Sequence, residues 1–229
     1  GGLYPGIMAG MGYTPDTQLG RNAEALTIIR KCWTEEVFDH HSRYFQLEGV
    51  RATPRPVQQP HPPIFLPAMR DKAIERNARE GFGANMPGSL SSVPDPAFWR
   101  RWRTKWDAAL ERHGRAPGEL PVSLFLNVFC TDDPERDWAR WRQGILHVEI
   151  EYAKLRGDEP PATPEDLPNH DKIFFTPDDL VTYLTELFAG APPDHLLLWD
   201  NRPGMTWDDS YRMHQLFAEQ VWPRIRELG

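Results

Sequence analysis

The residues best placed to do chemistry in this sequence lie between His61 and Gly81, in HPPIFLPAMRDKAIERNAREG. Pro62 and Pro63 end whatever precedes them, because proline has no N–H to give a ladder and stiffens its neighbour. Ile64, Phe65 and Leu66 form a short apolar run suited to a strand buried on both faces. After Ala68, Met69 and Arg70 the period changes: Ala73, Ile74, Asn77 and Ala78 fall at helical spacing, with Asp71 as the expected N-cap and Gly81 as the C-terminal stop. A strand, a three-residue turn and a helix in succession aim unpaired backbone N–H groups and the positive helix end at one point, and Arg70 stands there. That arrangement suits a phosphate. The same local pattern also describes an ordinary βα loop with a solvated arginine.

Other reactive residue types fit bland roles better. His40 and His41 are adjacent, but no carboxylate or third histidine stands at a ligand spacing, so they read as surface or turn histidines and no metal site is expected. Trp99, Trp102, Trp106 and Leu110 share one helical face, with Arg100, Arg101, Arg103 and Lys105 mostly on another. Aromatics interleaved with cations can bind nucleic acid. However, 26 Lys+Arg against 33 Asp+Glu give 26 − 33 = −7, so the spacing is read as tryptophans packed on a sheet, with neither nucleic acid nor anionic membrane as partner. A Ser/His/Asp hydrolase would need a G-x-S-x-G elbow, which is absent. A glycosidase would need two carboxylates at strand ends, where Asp200 alone qualifies. Gly1, Gly2, Gly6, Gly10 and Gly12 do not fit the dinucleotide fingerprint. The two cysteines, Cys32 and Cys130, are far apart and read as reduced thiols of a cytoplasmic protein. No apolar stretch approaches a membrane span, and no signal peptide opens the sequence.

The elements that must position these residues follow from period and punctuation. A helix is expected from about Asp16 to Glu36, with Ala25, Ile28, Ile29, Cys32 and Trp33 on its apolar face, followed by a small hairpin around His40–Ser42. After the strand and helix of residues 64–81, a strand is expected over Phe82–Met86, then a helix opened by Asp95-Pro96. Leu120 to Cys130 reads as one strand buried on both faces, and Asp133-Pro134 caps a helix carrying Trp138, Trp141, Ile145 and Val148. Residues 154–170 are rich in proline and charge without periodicity, which describes a mobile lid or a surface loop. Thr176-Pro177 opens a helix through Phe188, His195–Trp199 is the last strand, and Thr206 with Asp209 caps a final helix to about Leu228. Short apolar strands alternating with helices indicate a parallel α/β arrangement, and 229 residues at 40% hydrophobic content can build it as one domain.

Four stretches carry a resemblance to a known family: GGLY at 1–4; RNAEALTIIRKCWTEE with YFQLEGVRATPRPVQQPHPPIFL; IFFTPDDL; and HLLLWDNRPGM with LFAEQVWPRIREL. Together they resemble the bacterial-luciferase-like family of flavin-dependent monooxygenases, which are TIM (β/α)8 barrels. Phe175 stands where the family usually has glycine. The resemblance implies an α/β barrel over residues 1–229, of which this chain holds the second half, strands about five to eight. It implies a fragment of a longer protein or a half-barrel that pairs with another chain, and the loop-like start of the sequence is read the same way.

What the resemblance implies for the site is specific. Gly2, Leu3 and Tyr4 after the fourth barrel strand, and Ala68, Met69 and Arg70 after the fifth, would hold the ribityl phosphate of FMN, with Leu3 and Met69 giving backbone N–H groups. A serine is common where Arg70 stands; a guanidinium can grip phosphate with two parallel bonds instead. Asn85 and Asp200, at the ends of the sixth and last strands, would face substrate, or would be polar strand-end residues wetted by solvent. The catalytic residues would lie in the first half of the barrel. The implied reaction uses reduced FMN and oxygen on a small organic substrate, with a flavin reductase as a further partner and residues 154–170 as a water-excluding lid. A deazaflavin-dependent hydride-transfer enzyme of the same family, and a non-catalytic half-barrel that pairs with a missing half or a second copy, are the alternatives.

Overall fold

The computed structural model describes residues 5–86, 93–167, 172–199 and 201–228. Contacts gather the chain into two compact units, one of the residues up to Pro63 with Ala153–Asp158, the other of Ile64–Tyr152 with the residues from Glu159 onward. In the first unit, helix α1 (Pro5–Gly10) and a 3-10 turn (Pro15–Thr17) precede helix α2 (Gln18–Thr34), and β1 (Phe38–His41) pairs antiparallel with β2 (Gln46–Val50). The expected hairpin is therefore present. Ser42 closes its turn: its amide donates to Phe45 O at 2.9 Å, and its hydroxyl donates to the Glu24 carboxylate of α2. His40 and His41 sit in β1 rather than in the turn, His41 Nδ1 lying 3.0 Å from Gln46 Oε1.

The second unit is built from β3 (Phe65–Pro67), α3 (Asp71–Glu80), β4 (Gly83–Met86), α4 (Pro96–Arg112), β5 (Val122–Leu126), β6 (Phe129–Cys130), α5 (Pro134–Arg156, whose last turn belongs to the first unit), β7 (Phe174–Phe175), α6 (Pro177–Phe188), β8 (His195–Leu198) and α7 (Trp207–Leu216). Four of the strands form one parallel sheet in the order β3-β4-β5-β8. Side chains alternate across each strand, so register sorts the sheet into two faces. Ala84, Met86, Val122, Leu124, Leu126, Leu196 and Leu198 pack with the tryptophans of α4 and with Leu180, Leu184 and Leu187 of α6 in the main core. As the spacing predicts, Trp99, Trp102 and Trp106 are buried, stacked with centroids 5.2 and 6.3 Å apart.

The opposite face carries Phe65, Asn85, Ser123, Phe125, His195 and Leu197, and it is covered much less; Leu197 is 43% exposed. Burial on both faces, expected of the runs at 64–66 and 120–130, thus holds for most of β5 but not for β3; β4 is mostly buried and β8 is not. Those two are the outer strands of the described sheet, and each has a neighbour on one side only. On the open face Phe65 needs the absence of a side chain at Gly83, where a Cβ would come within 2.9 Å of the Phe65 ring and 2.8 Å of Pro121 O.

Two further expectations are corrected, and residues 154–170 gain local structure. The run from Leu120 to Cys130 is two strands, because Asn127 interrupts it: this fully buried amide accepts a hydrogen bond from Arg202, and beyond it β6 leaves the main sheet to pair with β7, Phe129 opposite Phe174. Asp71 is the first residue of α3 rather than its cap; Arg70 holds the cap position with extended backbone and makes no side-chain cap bond. Within residues 154–170, the first three complete α5, and Pro164–Asp166 forms a 3-10 turn whose Asp166 carboxylate accepts from Thr163 N at 2.8 Å and Ala162 N at 3.1 Å. The other caps are as expected: Asp95 accepts from Phe98 N at 2.9 Å, Asp133 from Arg136 N at 3.0 Å and Thr176 from Asp179 N at 3.2 Å, while Thr206 and Asp209 cap each other reciprocally. The last helix is not uniform. A π turn at Phe217–Val221 precedes Trp222–Ile225. Pro223 has no N–H for the carbonyl one turn earlier, and the wider turn accommodates that loss. No helix among the described residues is long and apolar enough to cross a membrane.

Candidate functional site

The site is built where β3 hands over to α3. Three bonds from three elements fix this turn. Asn77, on the buried face of α3, donates through Nδ2 to Leu66 O at 2.9 Å, and Trp102 of α4 donates its indole N–H to Ala68 O at 2.7 Å. The Ala68 N–H donates to Asn85 O of β4 at 2.9 Å. Ala68 is therefore wholly buried with both backbone polar groups engaged, and it supports the turn from behind. Met69, 50% exposed, and Arg70, also exposed, are the residues that reach solvent.

The backbone chemistry at this point favours an anion. The first N–H groups of any helix lack intrahelical acceptors, and α3 has no side-chain cap to take them. Ala73 N and Ile74 N both turn inward to Arg70 O, at 2.8 and 3.0 Å. Asp71 would repel an anion, but Lys105 of α4 engages its carboxylate at 2.9 Å. Among the described residues the Arg70 guanidinium has no ion-pair partner, so the turn presents one uncommitted cation beside a bare helix end. One turn further on, the Arg112 guanidinium bonded to Glu75 holds its carboxyl below the usual range, against a small opposing effect of burial and with His113 assisting.

A second group of residues lies on the open face toward the C-terminal ends of β5 and β8. Ser123, Phe125 and Asn127 alternate along one strand line, and His195, Leu197 and Trp199 along the next. Trp199 is tied to β5 by its N–H, which donates to Leu126 O at 3.0 Å. Phe125 meets the Trp199 ring edge-to-face at 5.4 Å and 72°. Behind the indole, Arg202 is only 1% exposed, its guanidinium carbon 4.6 Å from the Trp199 ring centroid and 5.6 Å from that of Phe129. It donates to Asn127 Oδ1 and, at 3.1 Å, to Asn201 O. The loop carrying Arg202 lies hard against α5, where a Cβ on Gly144 would overlap Pro203 O at 1.9 Å. Sequence reasoning did not find this group. Its one signal was the polar Asn127 inside an otherwise apolar strand.

Of the residues expected at the site, the structure brings together Ala68, Met69 and Arg70 at the β3 end, with Asn85 one strand away on the open face beside Ser123. Gly2, Leu3, Tyr4 and Asp200 lie outside the described residues. Burial, with Asp132 nearby, pushes the Cys130 thiol up to about 12, so it is no nucleophile at neutral pH.

A parallel sheet with its helices packed on one face defines a protein of the α/β class. The family model described as luciferase-like monooxygenase matches residues 2–184, and the chain belongs to that family. Solved structures agree at the level of fold. The monooxygenase RslO1 from Streptomyces bottropensis superposes with a TM-score of 0.71 at 18% identity, covering 97% of this chain and 66% of that one. The oxygenating constituent of 3,6-diketocamphane monooxygenase from Pseudomonas putida, a type II Baeyer-Villiger monooxygenase solved in complex with FMN, gives 0.67 at 17% identity, with 97% and 68% covered. The coenzyme F420-dependent tetrahydromethanopterin reductase from Methanopyrus kandleri gives 0.64 at 13% identity, with 92% and 64% covered. The chain thus spans about two thirds of the length of these structures.

Proposed function

We propose that this chain forms the second half of a (β/α)8 barrel, residues 1–229, that binds the phosphate of FMN and oxygenates a small organic substrate with reduced flavin and oxygen. The four parallel strands with helices on one face and a half-covered opposite face support this reading, since the family's barrel has eight strands and a packed interior. The observation that carries it is the bare N-terminus of α3 with exposed Arg70 beside it. Met69 and Arg70 would hold the phosphate through backbone N–H groups and the guanidinium, and Asn85 would face the substrate from the open side of the sheet. When bound, the flavin supplies the redox chemistry. The chain's own residues anchor its anionic tail, orient it against the sheet and exclude water, the last being the role proposed for residues 154–170 as a lid. Cytoplasmic location, a flavin reductase as electron source, and a missing half-barrel or second copy as partner belong to the same proposal.

A phosphate clamp separates FMN from riboflavin, which share the ring and differ in the phosphate. Arg70→Ala is expected to weaken FMN binding about tenfold or more, the worth of one charge-assisted bond, with riboflavin unchanged, both read by flavin fluorescence. Equal loss for both ligands, or none, would remove Arg70 from the site. The similarity in fold to an F420-dependent reductase favours a deazaflavin as the second reading. Absorbance of the purified protein and oxygen uptake distinguish the two.

A further inference from the structure

We propose that the Trp199 indole, held from behind by Arg202, is a platform on which an electron-rich aromatic ring of the substrate stacks. The proposal rests on the reading above, in that it places substrate at the C-terminal rim of the sheet. By strand alternation Trp199 continues the open-face line of His195 and Leu197, one residue past the end of β8. It is half-buried, and its orientation is fixed three times over: by its own backbone bond to Leu126 O, by the edge-to-face contact with Phe125, and by the guanidinium at 4.6 Å. Arg202 is fixed in turn through Asn127 and Asn201 O, and at 1% exposure it is shielded from solvent.

That geometry selects a ligand class. A cation over one face of an indole draws the ring's electron density toward itself, and it is strongest when water is excluded from the pair. The remaining face is then a poor partner for a cation and a good one for an electron-rich ring, such as a phenol or a fused hydroxylated arene. A saturated ring of equal size gains contact area on the platform but no such attraction. Arg202 is a positioning residue in this scheme, and Trp199 is the residue that meets the ligand.

The test compares 2-naphthol with 2-decalol, probes of similar size with and without aromaticity, in equilibrium binding to the purified full chain. The quantity read is the ratio of the two dissociation constants, with FMN affinity measured alongside. Trp199→Leu, which keeps apolar bulk, is expected to lower the preference for naphthol about tenfold, the usual worth of one stacked ring. Trp199→Phe is expected to retain most of it, and Arg202→Met to lower it with Trp199 still present. An unchanged ratio in Trp199→Leu and in Arg202→Met overturns the proposal. So does a loss of FMN affinity matching the loss for naphthol, which would make Trp199 a cofactor contact. If FMN fails to bind the wild-type chain while the naphthol preference still follows Trp199, the cofactor reading falls and the platform stands.

Discussion

Asn77 is the side chain on which the turn between β3 and α3 most depends, and two substitutions there separate the reasons why. It is fully buried, with Nδ2 donating to Leu66 O at 2.9 Å and, more weakly, to Gly83 O at 3.4 Å. Its Oδ1 accepts from Arg76 at 3.0 Å. One amide thus joins α3 to β3 and β4 at the point where the turn begins. Asn77→Ala removes the side-chain donor shared by Leu66 O and Gly83 O and leaves a small buried gap, which is expected to cost about 1–3 kcal/mol. Asn77→Asp is nearly isosteric, yet it turns a carboxylate oxygen toward two carbonyl oxygens in a dry site. Arg76 offsets part of that, so the expected cost at pH 8 is about 3 kcal/mol or more, at least that of the alanine. Below the carboxyl pKa the protonated side chain can donate to Leu66 O again, so the deficit should shrink as pH falls. Urea denaturation of the three proteins at pH 8 and pH 5 reads both effects. An aspartate variant as stable as wild type at pH 8 would show that the amide donor does not hold the turn.

Two further outcomes follow from close packing and from burial. Gly144→Ala on α5 should destabilise by about 1–3 kcal/mol, because the added methyl would overlap Pro203 O at 1.9 Å, and this outweighs the ~1 kcal/mol that alanine gains in a free helix. A rise in melting temperature would contradict it. Burial keeps the proton on Cys130 up to about 12, whereas the unfolded thiol releases it near its ordinary value of 9.0. The folded state therefore binds more protons between those values, and stability should fall as pH rises through 9, with a slope of up to about 1.4 kcal/mol per pH unit. Cys130→Ser should abolish that part of the slope in alkaline denaturation; an identical slope would assign it to other groups.

Much of the architecture was legible along the chain because it is encoded locally. The tryptophans of α4 recur at three and four residues and are buried together, and Asp95, Thr176 and Thr206 begin helices by accepting from residues three places on. The strand–turn–helix around Met69 and Arg70 was readable for the same reason, since a change of period and a glycine stop need no distant partner. Asp71 misled because an acidic residue suits both the cap and the first turn, and only the extended backbone of Arg70 shows which it occupies. The single strand expected over Leu120–Cys130 failed on Asn127, whose partner Arg202 is 75 residues away.

Sequence by itself determined which residues must be inside a helix face, where the chain turns, and that the strands run parallel, since each of these follows from spacing and punctuation within a few residues. Only the tertiary structure decided which face of the sheet is left open, that Ala68 spends its polar groups on Asn85 and Trp102, and that Trp199 is backed by a buried cation. Those depend on strand register and on pairs of side chains brought together from remote parts of the chain, and a buried polar group takes whichever partner the fold delivers to it.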